Sequence, residues 1–481
     1  MKCKIINKIK QKKNGVSEVT KATFAFFLCN IIQKCISLIT TPIFARLLSP
    51  EQYGVYNTYI SWLQILTIIV TFRLDYGIFN KGMSKYPEQK DEYTSTMQGI
   101  TTILATFFLI VYLLFHNFIN GITELSTFIT LAMFMEVYAS SAMSFWLIRQ
   151  RYDFKYKIVV IVTISMAIIN SGVGIIAVIM FNHSGVSRIL SSVIVQCCFG
   201  YVIYIYNLKK GKKFINKEIA RFAILFNIPL LPHYFASYIL DQFDRIMIMK
   251  MVGYSAVGVY SIAYSSGFVL KIITNSLNNT IVPWQYRKLE DKEFEPISNC
   301  ISSILFGITI CLLGYMTLAP EVIRIFGGDN YYSAAHILPL VTASVFFIFL
   351  YELFANIEFY YDSNKFTMYI AVIGAILNIV LNYIFISKWG YSMAAYTTLF
   401  CYIYFCLSHY IYMNYVVKKN TGKQIFKFSK IFPYMFIIVV YSIIIRFIFD
   451  YLWLRYFIIF LLCAITVIFR KQIFKFIKVL R

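Results

Sequence analysis

The sequence predicts an all-α polytopic membrane protein with about fourteen transmembrane helices. We expect two pseudo-symmetric six-helix bundles followed by a C-terminal helix pair. Of the 481 residues, 59% are hydrophobic and only 14% are charged, against about 25% charged in a typical soluble domain. Apolar runs of roughly 20 residues, long enough to cross a bilayer, recur along the chain. They lack the alternation of a transmembrane barrel, which favours helices.

Fourteen apolar segments joined by short loops are predicted as spans. They are 22–44, 57–79, 98–119, 125–148, 158–181, 185–206, 220–249, 256–282, 297–318, 334–358, 367–387, 391–415, 432–449 and 452–470. The predicted organisation is a basic cytoplasmic tail (1–21), a six-helix bundle (22–206), a basic linker (207–221), a second bundle (222–415), and a basic loop with two extra helices and a basic tail (416–481). Because some neighbouring spans are nearly continuous, a count of twelve or thirteen stays open.

The distribution of positive charge predicts the orientation of the chain. The net charge of +23 first suggests a nucleic-acid partner. However, 34 of the 45 Lys and Arg residues lie in the tails and in loops on one side, and only five lie in loops on the other. Such a bias marks the cytoplasmic side. We therefore expect a multi-pass protein of the bacterial inner membrane with both termini cytoplasmic, and no nucleic-acid partner.

Motifs of enzymes and metal sites are missing from the sequence. None of the ten cysteines shows zinc-like spacing, and no phosphate-binding loop or hydrolase motif occurs. We therefore predict a protein that is not an enzyme, with no metal and no cofactor, apart from a coupling ion, H⁺ or Na⁺. A membrane polysaccharide polymerase is disfavoured because the longest external loop, 319–332, is short.

An internal repeat relates the two predicted bundles. Gly54-Val-Tyr56 follows the first span and Gly258-Val-Tyr260 follows the seventh, at an offset of 204 residues. Gly185 and Gly390 recur at an offset of 205. Parallel repeats of this kind occur in secondary transporters, whose substrate site lies between the halves.

Polar side chains recur at helical spacing in the first two helices of each predicted half. The four stripes are Asn30, Lys34, Ser37 and Thr41; Gln64, Thr67, Thr71 and Asp75; His233, Ser237, Asp241 and Asp244; and Tyr264, Lys271, Asn275 and Asn278. An ionisable group at the centre of a span costs about 2.5–3.5 kcal/mol, so it persists only against protein or water. The stripes therefore predict a hydrated central cavity.

The cations of these stripes are predicted to bind an anionic substrate group such as a diphosphate. The predicted cavity residues are Lys34, Arg73, Lys271, Asn30, Asn275 and Asn278. The predicted coupling or gating residues are Asp75, Asp241, Asp244, Arg245, Glu136, Glu352, Pro229 and Pro232. Each has a structural alternative: an ion pair for the lysines, snorkelling for Arg73 and Asp75, a salt-bridged helix end for Asp244 and Arg245, and a passive kink for the prolines. For Glu136 and Glu352 a pairing with Arg149 or Lys271 is slightly favoured.

Three motifs resemble those of a known family. They are Arg46-x-Leu-x-Pro50-x-x-Tyr53-Gly54-x-Tyr56, then Pro229 followed by Asp244-Arg245, Gly253 and Gly258-x-Tyr260-x-x-Ala263, and finally the stretch from Ala319-Pro320-Glu321 through Phe326-Gly327 and Tyr331 to Ala334. Together they are similar to Wzx-type polysaccharide repeat-unit flippases, which act in O-antigen and capsule assembly. This polysaccharide transport branch belongs to the MOP superfamily, with multidrug extruders and the lipid II flippase. The similarity covers about 20–415.

The resemblance implies a function and partners. Such a protein translocates undecaprenyl-diphosphate-linked oligosaccharide by alternating access, for lipopolysaccharide or capsule biosynthesis. Its expected partners are the lipid-linked oligosaccharide, membrane lipids, and a polysaccharide polymerase with its chain-length machinery. The two extra spans, 432–449 and 452–470, depart from the twelve-span pattern and match the fourteen of the lipid II flippase.

Besides a flippase and the disfavoured polymerase, two other kinds of protein remain as alternatives. A multidrug or cation antiporter of the same superfamily would prefer carboxylates over cations in its cavity, and the central lysines count against it. A structural membrane protein would have no use for aligned polar stripes.

Overall fold

The computed structural model describes residues 17–470, and over this range the chain is helical, without strands. The predicted N-terminal tail lies mostly outside the described residues, and so does the C-terminal tail beyond 470. The helices are α1 (Glu18–Leu47), α2 (Pro50–Thr71), α3 (Gly77–Lys85), α4 (Lys90–Leu114), α5 (His116–Thr123), α6 (Thr127–Tyr152), α7 (Tyr156–Met180), α8 (Gly185–Gly211), α9 (Lys217–Asn227), α10 (Leu231–Tyr238), α11 (Asp244–Met251), α12 (Tyr254–Glu290), α13 (Phe294–Thr317), α14 (Ala319–Phe326), α15 (Leu338–Tyr360), α16 (Asn364–Trp389), α17 (Met393–Thr421), α18 (Phe428–Ile444) and α19 (Leu452–Ile468).

The all-helical membrane fold is confirmed. Among the described residues, eleven helical segments are long and apolar enough to cross a membrane, and α19 is a shorter apolar helix. Helices α2 and α17, of 22 and 29 residues, are also long enough to span but more polar. Every one of the fourteen predicted segments therefore coincides with a helix or a broken helix.

The bounds predicted for the second span, 57–79, are wrong. Helix α2 begins at Pro50, where proline suits the first turn, and ends at Thr71. Phe72 and Arg73 then adopt positive φ angles of 47° and 53°. Because a left-handed residue stops a right-handed helix, the chain turns here and continues as the separate helix α3.

The chain divides into two compact units. Unit 1 contains the described residues up to Leu47 together with Trp62–Tyr234, and unit 2 contains Leu48–Ser61 together with the described residues from Phe235 onward. The beginning of α2 therefore belongs to unit 2 and its end to unit 1.

Unit 1 is a bundle in which α6 and α8 pack along each other, flanked by α1, α4 and α7. The closest approach is at Gly200 of α8, where an added Cβ would lie 2.5 Å from the carbonyl oxygen of Ala139. Small residues permit such backbone contact between membrane helices. At one end of the unit, the ring of Phe79 stacks on that of Phe145 at 5.6 Å, and this aromatic core fixes α3 on the bundle.

Unit 2 surrounds helix α15, and 89% of the apolar window of α15 is buried. Helices α12, α13, α17 and α18 pack around it. The C-terminal helix α19 is attached through Arg455, which donates to Glu321 of α14 at 2.7 Å. The extra pair α18 and α19 is thus an integral part of this unit.

Within unit 2 the two copies of the Gly-Val-Tyr repeat contact each other. A Cβ added to Gly54 would lie 1.8 Å from the carbonyl oxygen of Tyr254, and one added to Gly258 would lie 1.9 Å from that of Pro50. Pro50 and Tyr254 are themselves related by the repeat offset, and each begins its helix. The contact is reciprocal, as expected when equivalent helices of a repeat cross.

The seventh predicted span is a broken helix. Helix α9 ends at Asn227, a 3₁₀ turn covers Ile228–Leu230, and a π-helical turn over Ile239–Phe243 separates α10 from α11. Pro229 lies in the 3₁₀ turn, where its missing N–H ends the α-helical hydrogen bonding. The predicted interruption is therefore present, and the π turn adds a second one.

Candidate functional site

A polar cleft of about 460 Å³ opens in unit 1 between α1, α6, α7 and α8. Its lining contains one charged residue, Arg188, and nine uncharged polar side chains. These nine are Gln33, Ser37, Thr40, Ser140, Ser144, Thr163, Asn170, Ser171 and Gln196. Hydroxyl and amide groups both donate and accept hydrogen bonds, so the cleft matches a ligand rich in hydroxyl groups with one anionic group.

Arg188 is held in a defined position at this cleft. It is 7% exposed, and its guanidinium donates to the Oδ1 of Asn170 at 2.8 Å. Asn170 in turn donates to the hydroxyl of Ser192 at 3.1 Å. The guanidinium lies 4.4 Å from the ring centroid of Phe44 and against Gly174, where an added Cβ would come within 2.7 Å of it. The absence of a side chain at Gly174 therefore makes room for the arginine.

Arg73 and Asp75 lie in the turn after α2. The Nε of Arg73 is 3.7 Å from the carboxylate of Asp75, which also accepts from the hydroxyl of Ser144 at 3.2 Å. Ser144 belongs to the cleft lining as well. The predicted pair therefore connects to one edge of the cleft, with the Arg73 side chain 31% exposed.

The face of α1 that lines the cleft is shifted by one position relative to the predicted stripe. Gln33, Ser37 and Thr40 line the cleft, whereas the predicted stripe contained Asn30 and Lys34. Asn30 is exposed and Lys34 is half-buried next to the lining. The structure thus does not place Lys34 in the cleft lining, because positions 33, 37 and 40 share the face that packs toward α7.

Unit 2 holds a second polar site, centred on the fully buried carboxylate of Asp244. It accepts hydrogen bonds from the hydroxyl of Tyr260 at 2.6 Å, from Thr398 at 3.0 Å and from the amide of Asn382 at 3.0 Å. Asn382 also donates to Asn378 at 3.1 Å and accepts from Thr397. We call these six residues the Asp244 cluster. Its oxygen atoms form a donor set that suits a small hard cation or a proton.

The predicted common face of His233, Ser237, Asp241 and Asp244 is wrong. Asp244 is buried, while Asp241 and Ser237 are exposed. The π turn contains both Asp241 and the residue before Asp244, and its wider winding changes the direction in which the following side chains point. The face that 3.6-residue periodicity predicts is therefore broken at this turn.

Arg245 is not the salt-bridged helix end that was one alternative for it. It is 8% exposed, and it donates to the carbonyl of Asp241 at 3.0 Å and to the hydroxyl of Ser261 at 3.3 Å. Its guanidinium also lies 5.2 Å from the ring centroid of Tyr264. Arg245 thus ties the π turn to α12.

Lys271 is half-buried beside Glu352, with which it interacts electrostatically. Glu352 also accepts from Asn278 at 3.0 Å, and Asn278 accepts from Asn356 at 2.9 Å. The favoured structural alternative, Lys271 as the partner of Glu352, therefore agrees with the structure. Asn275, on the same helix, is half-buried.

The other favoured pairing, of Glu136 with Arg149, is wrong. Arg149 pairs with Asp91 at 3.3 Å and with Asp153 near the end of α6. Glu136 lies 6% exposed more than three helical turns away, close enough to Cys197 to interact with it electrostatically.

Several residues of these two sites were missed by the sequence patterns. Arg188, in the predicted span 185–206, was not chosen as a site residue; it lies in the first turn of α8. Asn378 and Asn382 are four residues apart in an apolar segment, a spacing that could have marked a polar face. Among the described residues, no group of three or more His, Cys, Asp or Glu side chains lies close enough to hold a metal ion.

Comparison with solved structures shows which proteins share this fold. The chain is similar to the lipid II flippase MurJ in an inward closed conformation, with a TM-score of 0.69 and 16% identity over 93% of this chain and 99% of that one. It is also similar to an inward-facing multidrug resistance MATE family transporter of the MOP superfamily, with a TM-score of 0.53 and 13% identity over 81% and 96% of the two chains. The chain therefore has the polytopic fold of MOP-superfamily transporters.

The family follows from the sequence comparisons. The family described as polysaccharide biosynthesis protein matches residues 19–289, and the MatE family matches 229–384. A relative from Haloferax volcanii, named "Probable low-salt glycan biosynthesis flippase Agl15", is 20% identical over 79% of this chain and 80% of its own. The chain belongs to the polysaccharide biosynthesis protein family, and it is a multi-pass membrane protein.

Proposed function

We propose that this protein is a flippase that moves undecaprenyl-diphosphate-linked oligosaccharide across the bacterial inner membrane, with both termini in the cytoplasm. The polar cleft of unit 1 is the observation that carries the proposal. A single buried cation among nine hydroxyl and amide side chains suits a substrate that combines phosphate with sugar hydroxyls. Five apolar side chains share the lining (Ile36, Met143, Leu147, Met166 and Ala167), but the ten polar ones outnumber them, so the cleft favours a glycan over the multidrug alternative.

The residues contribute different interactions in this proposal. Arg188 binds an anionic group in bidentate fashion, because Asn170 and Phe44 fix the plane of its guanidinium. Arg73 and Lys34 lie at the borders of the cleft and add positive potential. Lys271, whose charge is balanced by Glu352, is assigned to the stability of α12 against α15 rather than to substrate.

We also propose that a coupling ion, H⁺ or Na⁺, acts at the Asp244 cluster. The fit rests on one buried carboxylate that accepts hydrogen bonds from two hydroxyl groups and one amide N–H group. Asp244, Asn378 and Asn382 would hold such a cation, which would supply a charge that compensates the carboxylate. The π turn beside Asp244 interrupts the regular α-helical hydrogen bonding, so the helix can change its conformation there when the ion binds.

Translocation can be measured in proteoliposomes that contain the full-length protein. The probe is undecaprenyl diphosphate linked to a fluorescent disaccharide, and a membrane-impermeant reagent destroys the fluorescence in one leaflet. We expect the protein to make the inner pool accessible, and Arg188→Ala to slow this movement at least tenfold. If wild-type protein instead exports ethidium and leaves the glycolipid in place, the multidrug alternative is correct.

A polysaccharide polymerase and its chain-length machinery are proposed as cellular partners, since the flipped repeat unit is their substrate. Deletion of the gene should leave lipid-linked oligosaccharide on the cytoplasmic leaflet. Intact polymer at the cell surface in the deletion strain would contradict the proposed function.

A further inference from the structure

Two ionisable side chains lie together in the interior of unit 2, outside the Asp244 cluster. Glu358 is near the end of α15 and His409 is in the middle of α17, and neither side chain has any exposed surface. The Nδ1 of His409 lies 3.0 Å from both carboxylate oxygens of Glu358. Buried ionisable groups in a membrane protein are expensive and usually serve a function.

Aromatic rings enclose the imidazole of His409. It stacks on Tyr351 with a centroid distance of 5.6 Å and an interplanar angle of 22°, and on Phe405 at 6.4 Å and 14°. The ring of Phe366 approaches edge-on at 6.4 Å. Aromatic faces attract cations within about 6 Å of the ring centroid, a range that includes Tyr351 but not Phe405.

Among the side chains that the structure describes, the other ionisable groups near the pair are tyrosines and a cysteine. From α15 they are Tyr351 and Tyr360; from α12, Tyr286, which contacts Tyr360; and from α17, Cys406 and Tyr410, whose hydroxyl donates to the carbonyl of Phe426 before α18. Helix α16 contributes the ring of Phe366. In the described part of the chain, His409 is the one ionisable group that interacts electrostatically with Glu358, and α13 and α18 contribute none.

The number of protons on the pair determines its net charge. With one proton shared between Nδ1 and the carboxylate, the pair carries one negative charge. A second proton has one place to bind, the Nε2 of His409, which has no hydrogen-bond partner among the described residues. It converts the pair to a neutral ion pair. A net charge in a low-dielectric interior costs far more than a hydrogen-bonded ion pair, so burial of both side chains favours the neutral, doubly protonated pair.

A stack of rings connects the pair to the π turn. Tyr351 stacks on Tyr402 with a centroid distance of 6.4 Å and an interplanar angle of 5°. The hydroxyl of Tyr402 donates to the carboxylate of Asp241 at 3.4 Å. Contacting rings therefore run without a gap from His409 to the segment beside the Asp244 cluster.

We propose that Glu358 and His409 form a proton-binding site, and that the proton taken up at His409 Nε2 is exchanged with water when α15 and α17 move apart. While α15 and α17 are apart, H⁺ from water binds the Nε2 lone pair, and it becomes buried when the helices come together. The next separation of the two helices returns it to water. The site thereby links proton binding to the conformation of unit 2, whichever substrate the protein carries.

The site can be tested by NMR of the full-length protein labelled with [¹³Cε1]histidine in micelles. The chain has five histidines, and His409→Gln identifies the His409 signal by its loss. We expect His409 to remain protonated to higher pH than in Glu358→Gln, which removes the carboxylate that stabilises the imidazolium. Glu352→Gln, on the same helix but hydrogen-bonded to Asn278, is the matched control and should leave the His409 titration unchanged. An identical titration in wild type and Glu358→Gln would overturn the proposal.

A second measurement tests exchange during conformational change. Proteoliposomes containing a pH-sensitive dye receive the probe undecaprenyl diphosphate disaccharide under an imposed pH gradient. We expect proton movement in wild type that falls at least tenfold in Glu358→Gln and His409→Gln. Proton movement that persists in both variants, or is lost in Glu136→Gln instead, would assign the exchange to another site. If the glycolipid does not move but His409 titrates as expected, the proposed substrate is wrong and the proton site stands.

Discussion

Units 1 and 2 differ in where they place their polar side chains. In unit 1 ten of them, including Arg188, line an open cleft. In unit 2 they form closed clusters in which Asp244, Glu358 and His409 have no exposed surface. Open polar groups exchange water for a ligand at low cost, whereas closed groups must be satisfied by protein or by a small ion. This difference supports the proposal that unit 1 binds the substrate and unit 2 binds ions.

The largest effect on stability is expected at Asp244. Alanine there leaves the donors of Tyr260, Thr398 and Asn382 without an acceptor, which should cost about 3–5 kcal/mol of stability. Asparagine keeps one acceptor oxygen and should cost less. Thermal unfolding in detergent measures both variants. If Asp244→Ala unfolds at the wild-type temperature, unit 2 does not depend on a closed polar interior.

The next effect is expected at the crossing of the repeats. Gly54→Ala places a methyl group where the carbonyl of Tyr254 lies, and overpacking of this kind costs about 1–3 kcal/mol. Gly314→Ala, in a helix of the same unit where nothing lies within 4 Å of an added Cβ, is the matched control. Thermal unfolding should separate the two variants. Equal unfolding temperatures would show that the reciprocal contact is not tight in the membrane.

Arg188→Ala should affect binding rather than stability. Loss of a charge-assisted hydrogen bond weakens binding by about 1.5–3 kcal/mol, which is roughly a tenfold to hundredfold change in affinity for the diphosphate probe. Binding can be followed by intrinsic fluorescence, with unfolding measured in parallel. A large loss of stability at unchanged affinity would reverse the assignment of the two units.

Gly174→Ala tests the same site with a smaller change. The new methyl group would come within 2.7 Å of the Arg188 guanidinium and displace it, so we expect affinity to fall by severalfold. Gly172→Ala lies on the same helix with nothing within 4 Å and should bind the probe as wild type does. Equal binding by both variants would show that the position of Arg188 is not critical.

Much of the fold was predictable from the sequence, because membrane helices are marked by long apolar runs and the repeat by its glycines. The spans, the interruption at Pro229 and the repeat of Gly54 and Gly258 all follow from such local signals. The turn at Phe72 and Arg73 was missed, since neither residue favours positive φ by its chemistry.

The sites were less predictable, because they depend on which helix faces meet. The π turn changes the direction of Asp241 and Asp244 without any proline or glycine to mark it. Lys34 has the right chemistry for the cleft but lies one position away from the lining. Arg188 was overlooked because it lies at the very start of its helix, outside the polar stripes that the sequence predicts.

The reciprocal contact of Gly54 and Gly258 also restricts how the two halves of the gene can diverge. Each glycine lies against the first residue of the other copy's helix, so a larger side chain in one copy cannot be accommodated by changes within that copy alone. Suppressors of Gly54→Ala are expected around Tyr254, and suppressors of Gly258→Ala around Pro50. Selection therefore acts on the two glycine positions together, although about two hundred codons separate them.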